Sequence, residues 1–174
     1  MNEDSNYIRN VRRFIESLPS EVLVKLRKAP PEEYYIDDIL PFDLYRGKRQ
    51  NIEKIADQIN KSFCYGIYDG TAVLMRRLVE MLLILSFKVI SQEDRIRGSD
   101  GNYFQLSQII NEAVRNTTLD LSRNAKDYLG IFKEKGDLSA HNIFHNCRRK
   151  DLDLVQSKFR HLIEELFYKA NILK

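Results

Sequence analysis

GTAVLMRRLVEMLLILSFKVI, residues 70–90, decides the fold class of this chain. Val73, Leu74, Met75, Leu78, Val79, Met81, Leu82, Leu83, Ile84, Leu85 and Phe87 make it apolar nearly all round. A helix of that kind sits in the middle of a bundle or at an oligomer interface. Its most apolar part, Leu78 to Ile90, is interrupted by Glu80, Ser86 and Lys88 and is shorter than the roughly 20 residues that a membrane span needs. The stretch therefore reads as a buried helix.

On either side the chain keeps a helical period. Ile52, Ile55, Ala56, Ile59 and Phe63 share one face, and Gly66 and Gly70 bracket the turn after it. Ser91 to Gly101 is a polar loop of turn formers. Leu106, Ile109, Ile110, Ala113 and Val114 mark a third helix, and Leu121, Ala125, Tyr128, Leu129 and Phe132 a fourth. Val155, Phe159, Leu162, Ile163, Leu166, Phe167 and Ala170 form the stripe of a last one. Asp151 and Asp153 stand at its positive end, Lys169 and Lys174 at its negative end. No stretch alternates with period two for long. The expected architecture is all-α, an antiparallel up-and-down bundle of four to five helices over residues 50–174.

The 174 residues suffice for one domain and an arm. With 43% hydrophobic and 30% charged residues the chain is neither disordered nor collagen-like, and 7 Gly and 4 Pro are too few for a turn-rich β-sandwich. Lys plus Arg exceed Asp plus Glu only by 28 to 25, so charge alone does not mark a nucleic-acid binder.

Residues 1–49 read as an N-terminal helical and extended arm. Tyr7, Ile8, Val11, Phe14, Ile15 and Leu18 line one helix face, Ser20 caps a second short helix, and Pro30-Pro31 ends it. Glu32 to Tyr45 mixes five acidic residues with aromatic and aliphatic ones and holds no helical period. It is expected to run extended across the bundle, and it is a candidate surface for a partner protein. Arg46-Gly47-Lys48-Arg49 is the boundary turn. Cys64 and Cys147 lie far apart without a CxxC, and the first residues are polar and acidic. Reduced thiols, no signal peptide and a cytoplasmic location are the expectation.

His141 and His145, four apart, would face one metal on a shared helix, but nothing at ligand spacing completes the set unless Cys147 or Asp151 folds back. No metal and no cofactor is assigned, and local hydrogen bonding accounts for both rings. His161 beside Arg160 reads as exposed. Glu80 in an oily helix needs a partner, and Arg76 and Arg77, one turn before it, both reach it. Either this is an internal ion pair or a spare arginine holds a phosphate. Basic clusters occur at Arg9/Arg12/Arg13, Lys25/Arg27/Lys28, Arg46/Lys48/Arg49 and Arg148/Arg149/Lys150. Two of them brought together would make a phosphate-binding stripe. No phosphate-binding glycine loop, Ser-His-Asp order or DNA-reading helix-turn-helix is evident.

Two stretches, CYGIYDGTAVLMRRLVEMLL (Cys64 to Leu83) and YLGIFKEKGDLSAHNI (Tyr128 to Ile143), together resemble the HEPN (higher eukaryote and prokaryote nucleotide-binding) superfamily, in its uncharacterised bacterial branch. The resemblance covers roughly Asn51 to Lys174. It implies a helical bundle that dimerises, and, in many members, a metal-independent ribonuclease of antiviral defence or toxin–antitoxin systems. In that pattern His141 matches the catalytic histidine and Asp137 the polar position, while the arginine position falls on Gly136. Lys135 is adjacent and Lys133 close by. No arginine precedes a histidine at the family's spacing. Gly136-Asp137 equally reads as a helix C-cap followed by an N-cap.

The expectation is thus an HEPN-like RNA- or nucleotide-binding and dimerisation module, non-catalytic or degenerate, of a bacterial defence or stress system. Arg76, Arg77, Arg148, Arg149 and Lys150 are its candidate nucleic-acid ligands. The alternatives are a metal-independent ribonuclease using His141 with Lys135 or Arg77, and a protein-interaction module without nucleic acid.

Overall fold

A computed structural model describes residues 38–173, which belong to one compact unit, Asp38–Lys174. The two arm helices, the Pro30-Pro31 stop, the first half of the acidic-aromatic stretch, and the clusters at Arg9/Arg12/Arg13 and Lys25/Arg27/Lys28 lie outside the described residues. Within them the chain is all-α: α1 (Phe42–Tyr45), α2 (Gln50–Cys64), α3 (Tyr68–Val89), α4 (Leu106–Arg115), α5 (Arg123–His141), α6 (Arg149–Asp153) and α7 (Gln156–Lys169). A 3₁₀ turn at Glu93–Ile96 joins α3 to α4.

α3 is the centre of the bundle. It packs against α2, α4, α5, α6 and α7. Leu78, Val79, Leu82, Leu83 and Phe87 are fully buried, and Leu74, Met81, Ile84 and Leu85 are half-buried against the same core. Its all-round apolarity is therefore used inside one chain. The stripes of the neighbouring helices turn inward as their period demands: Ile52, Ile55, Ala56, Ile59 and Phe63 of α2 are buried, as are Phe159, Leu162, Ile163, Leu166 and Phe167 of α7. Phe132 and Phe159 meet at a ring separation of 4.9 Å where α5 faces α7.

Helix ends follow local chemistry. Gly66, at φ +74°, lets α2 stop, with Ile67 N–H bonded to Ser62 O at 2.8 Å and Gly66 N–H to Phe63 O at 3.1 Å. Ser62 and Thr71 hydroxyls, 2.9 Å apart, then tie that end to the first turn of α3. Ser122 caps α5 by accepting from Ala125 N–H at 3.1 Å. Asp151 caps not the last helix but the short α6, accepting from Arg148 N–H at 3.0 Å. Two elements thus occupy the stretch expected to be the start of one helix.

The boundary expected after residue 49 lies earlier. Ile39, Leu40 and Tyr45, assigned by sequence to the arm, are buried in the bundle core. The strap is held by side chains that stand in for a neighbouring strand. Asn60 accepts from Leu40 N–H at 3.0 Å and donates to Leu40 O at 2.9 Å. Arg160 donates to Ile39 O at 2.9 Å and also to Asp38 O, which Gln156 reaches too. The Tyr45 hydroxyl donates to Asp57 at 3.0 Å. Ile39, Leu40 and Tyr45 thus face their own core, whereas Pro41, Phe42 and Asp43 are exposed.

Replacing Asn60 with Leu leaves the buried Leu40 amide unpaired on both sides. We expect a loss of about 1–3 kcal/mol in urea unfolding, and an unchanged midpoint would refute the clamp. Burial first, then the hydrogen bond to Asp57, pushes the Tyr45 hydroxyl up from 10.0 to about 12. The raised value belongs to the folded state, so this contribution is whole below about pH 10 and is lost as pH climbs toward about 12. Tyr45→Phe is expected to flatten the fall of thermal stability across that window.

Candidate functional site

The bare backbone of Gly136 brings α3 and α5 together. A Cβ built there would lie 2.5 Å from Cβ and 2.6 Å from Cδ of Arg76, so the arginine stem rests on the glycine. The C-cap and N-cap reading of Gly136-Asp137 is accordingly corrected. α5 runs unbroken to His141, and both residues lie inside it. The glycine serves a close helix crossing, not a turn.

From that crossing the Arg76 guanidinium is aimed at Asp137, with Nε 2.7 Å from Oδ1. The Nε atom is buried, and this carboxylate is its partner. Lys133, one turn earlier on α5, grips Oδ2 of the same carboxylate. Partial burial works to raise the Asp137 carboxyl, but the Lys133 hydrogen bond and the Arg76 charge outweigh it and hold it below the usual carboxylate range. Glu80 stands 3.9 Å from Arg76, a long i,i+4 contact. The expected internal pair at Glu80 is therefore Arg76's weaker partner.

These groups line a cleft of about 1010 Å³ between α3, the start of α4, and α5. His141, one turn beyond Asp137, lines it too, and Ile143 and Phe144 form its apolar rim, 87% and 92% exposed. An arginine thus shares a cleft with the candidate histidine, but it comes from α3, about sixty residues upstream in the chain. Of the expected site residues the fold unites Arg76, Asp137 and His141. Arg77 is exposed and outside the cleft. Lys135 is also outside it, because six residues of helix turn it well away from the face of His141. Its charge acts instead on Cys147.

Arg148, Arg149 and Lys150 are exposed and do not line the cleft. Arg149 lies over the Phe63 ring at 5.1 Å and pairs with Asp153 at 3.6 Å. Arg46 covers Phe42 at 4.3 Å. His161 is exposed, as expected.

A second cluster forms at the start of α3. Ligand atoms of Asp69, His145 and Cys147 lie within 4.8 Å of one another, and Cys147 N–H donates to Asp69 Oδ1 at 3.1 Å. Burial, then the Asp69 and Asp151 carboxylates, push the Cys147 thiol up, and Lys135 opposes them. His141 and His145 do not share a helix, since α5 ends at His141. Sequence reasoning missed Asp69, which carries no local signal toward Cys147, and Phe144. The repeat Lys133, Asp137, His141, every fourth residue, was the available pointer to a common face. Neither cysteine is bridged, and among the described residues no helix is long and apolar enough to cross a membrane.

Comparison of the chain with family models, with curated proteins and with solved structures finds no match.

Gly136→Ala gains helix propensity of about 1 kcal/mol, yet its methyl meets the root of the Arg76 side chain, which cannot swing away. Overpacking of about 1–3 kcal/mol is expected to win. Chemical denaturation should show net destabilisation, and a gain in stability would contradict the crossing.

Proposed function

We propose that this domain is an HEPN-like module that binds RNA, or a nucleotide of it, in the Arg76–His141 cleft, and that it acts as a homodimer in a bacterial defence or stress system. One observation carries the reading: Arg76, its stem laid on Gly136, shares an open cleft of about 1010 Å³ with an exposed histidine and an exposed aromatic ring. Arg76 offers a phosphate a planar fork beside the contact it makes to Asp137. Phe144 supplies a face on which an unpaired base stacks.

The cleft's charge sets the strength of the interaction. Glu80, Glu134 and Asp137 face Arg76 and Lys133, so fixed acids outnumber fixed cations. A phosphate must compete with Asp137 for both cations. Binding is therefore modest and depends on stacking as well as on charge, unlike a basic groove.

A second reading has its own support. Asp137, paired with Arg76, and His141 sit one turn apart on α5, and all three line the cleft. In that arrangement His141 would take the proton of an RNA 2′-hydroxyl. The freed oxygen would attack the adjacent phosphorus, and the 5′-oxygen would leave with a proton from solvent. Arg76 would stabilise the charge gathering on the phosphorane oxygens. The products would be a 2′,3′-cyclic phosphate and a 5′-hydroxyl.

Binding of a labelled single-stranded RNA is expected to weaken at least fivefold in Arg76→Lys, which keeps the stem and the charge but loses the fork, and similarly in Phe144→Ala. The salt slope should be shallow, about −0.7 to −1.4, for one or two phosphate contacts on a single strand. No binding at low salt would reject the reading. A steep slope abolished by Arg148→Glu/Arg149→Glu would move the interface to α6. Cyclic-phosphate ends made by wild type and not by His141→Ala establish cleavage, and intact RNA with both leaves a binding module. Light scattering across concentration decides the homodimer, which a strict monomer would refute.

A further inference from the structure

We infer that Asp69, His145 and Cys147 form a three-ligand site for a divalent transition metal of borderline softness, Zn²⁺ by chemical class, stapling the loop after α5 to the first turn of α3. The three donors are a carboxylate, an imidazole and a thiol, a set that suits zinc and not magnesium or calcium. They converge from distant parts of the chain, since the Asp69 to Cys147 contact spans 78 residues. Local turn chemistry therefore does not account for the cluster.

The geometry is close to what the ion needs. Zinc bonds of about 2.0–2.3 Å in a tetrahedron place ligand atoms roughly 3.3–3.8 Å apart. The donors already lie within 4.8 Å of one another, so about an ångström of inward movement closes the site. His145 stands in the loop between α5 and α6, where a side-chain rotation supplies it. Asp69 is already oriented by the Cys147 N–H at 3.1 Å, the kind of outer hydrogen bond that holds a ligating carboxylate in place. A thiolate and a carboxylate match the charge of the dication with His145 neutral. The thiol proton leaves to solvent on binding. Three protein ligands leave the fourth position to water or to an exogenous donor, and a small cavity lined by Asp69, Cys147 and Arg148 opens beside them.

The ion would hold residues 142–148 against α3 and so fix the placement of Ile143 and Phe144 at the rim of the larger cleft. This inference stands apart from the RNA reading, because its ligands and its readout involve neither Arg76 nor His141.

The test uses the full chain, reduced and stripped with a chelator, then titrated with Co²⁺. One equivalent is expected to give tetrahedral visible bands and a near-ultraviolet thiolate-to-cobalt charge-transfer band, both displaced by Zn²⁺. The charge-transfer band should vanish in Cys147→Ser and persist in Cys64→Ser. Asp69→Asn and His145→Gln should each weaken Zn²⁺ at least tenfold in competition with a chromogenic chelator. Zn²⁺ should also slow proteolytic cleavage within residues 142–148 of the wild type. A wild-type chain without the charge-transfer band, or one that keeps it in Cys147→Ser, overturns the inference. If Cys147→Ser fails the circular-dichroism check for folding, Asp69→Asn decides with the thiol intact: unchanged Zn²⁺ affinity in that variant rejects the site.

Discussion

The approach of α3 to α5 is the contact on which the rest depends, and it is possible only because residue 136 has no side chain. The central helix carries both the apolar surface that organises the bundle and the arginine that enters the cleft. With the stem of Arg76 laid on Gly136, its guanidinium reaches Asp137 at 2.7 Å. A packing requirement and an electrostatic arrangement are thereby met by the same pair of residues. The close crossing sets the depth of the cleft, and the Lys133–Asp137–Arg76 chain of charges sets its polarity.

Around that crossing the structure divides its polar work by location. Asn60, Asp57, Gln156 and Arg160 hold the chain from Asp38 to Tyr45 against the bundle with neutral or half-buried hydrogen bonds. These contacts replace the backbone pairing that a non-helical segment lacks, which buried amides require. On the opposite side of the account, the residues offered to solvent include large apolar ones, Ile143 and Phe144 above all. They stand at the rim of the charged cleft.

Much of the architecture was legible because burial and period coincide. The faces read on α2, α4 and α7 are the faces that the core uses, and the oily stretch from residue 70 to 90 is the central helix. Gly136-Asp137 misled because a glycine followed by an aspartate carries the same local signal whether a helix stops or a neighbour crosses closely. Only the position of Arg76, in another part of the chain, tells the two apart. The first residues of the unit misled for a related reason. Ile39, Leu40 and Tyr45 lack a helical period, and their burial comes from side chains on α2 and α7. The site was half legible. Asp137 and His141 were visible as a motif, and Arg76 was singled out for its partner Glu80, but the joining of the two needed the third dimension. Asp69 beside Cys147 had no signature at all along the chain.

Lys133, Asp137 and His141 form a ridge with a stride of four along one helix. Such a ridge is indifferent to what lies between its members but not to how many residues do. Substitutions at the intervening solvent-facing positions leave the alignment alone, whereas a single-residue deletion or insertion anywhere between Lys133 and His141 rotates everything beyond it by about 100°. A slip before residue 136 would also carry Gly136 off the crossing. Relatives of this chain, however far their side chains drift, are therefore constrained to keep this segment at constant length, and gaps in the helix should gather before Lys133 or after His141.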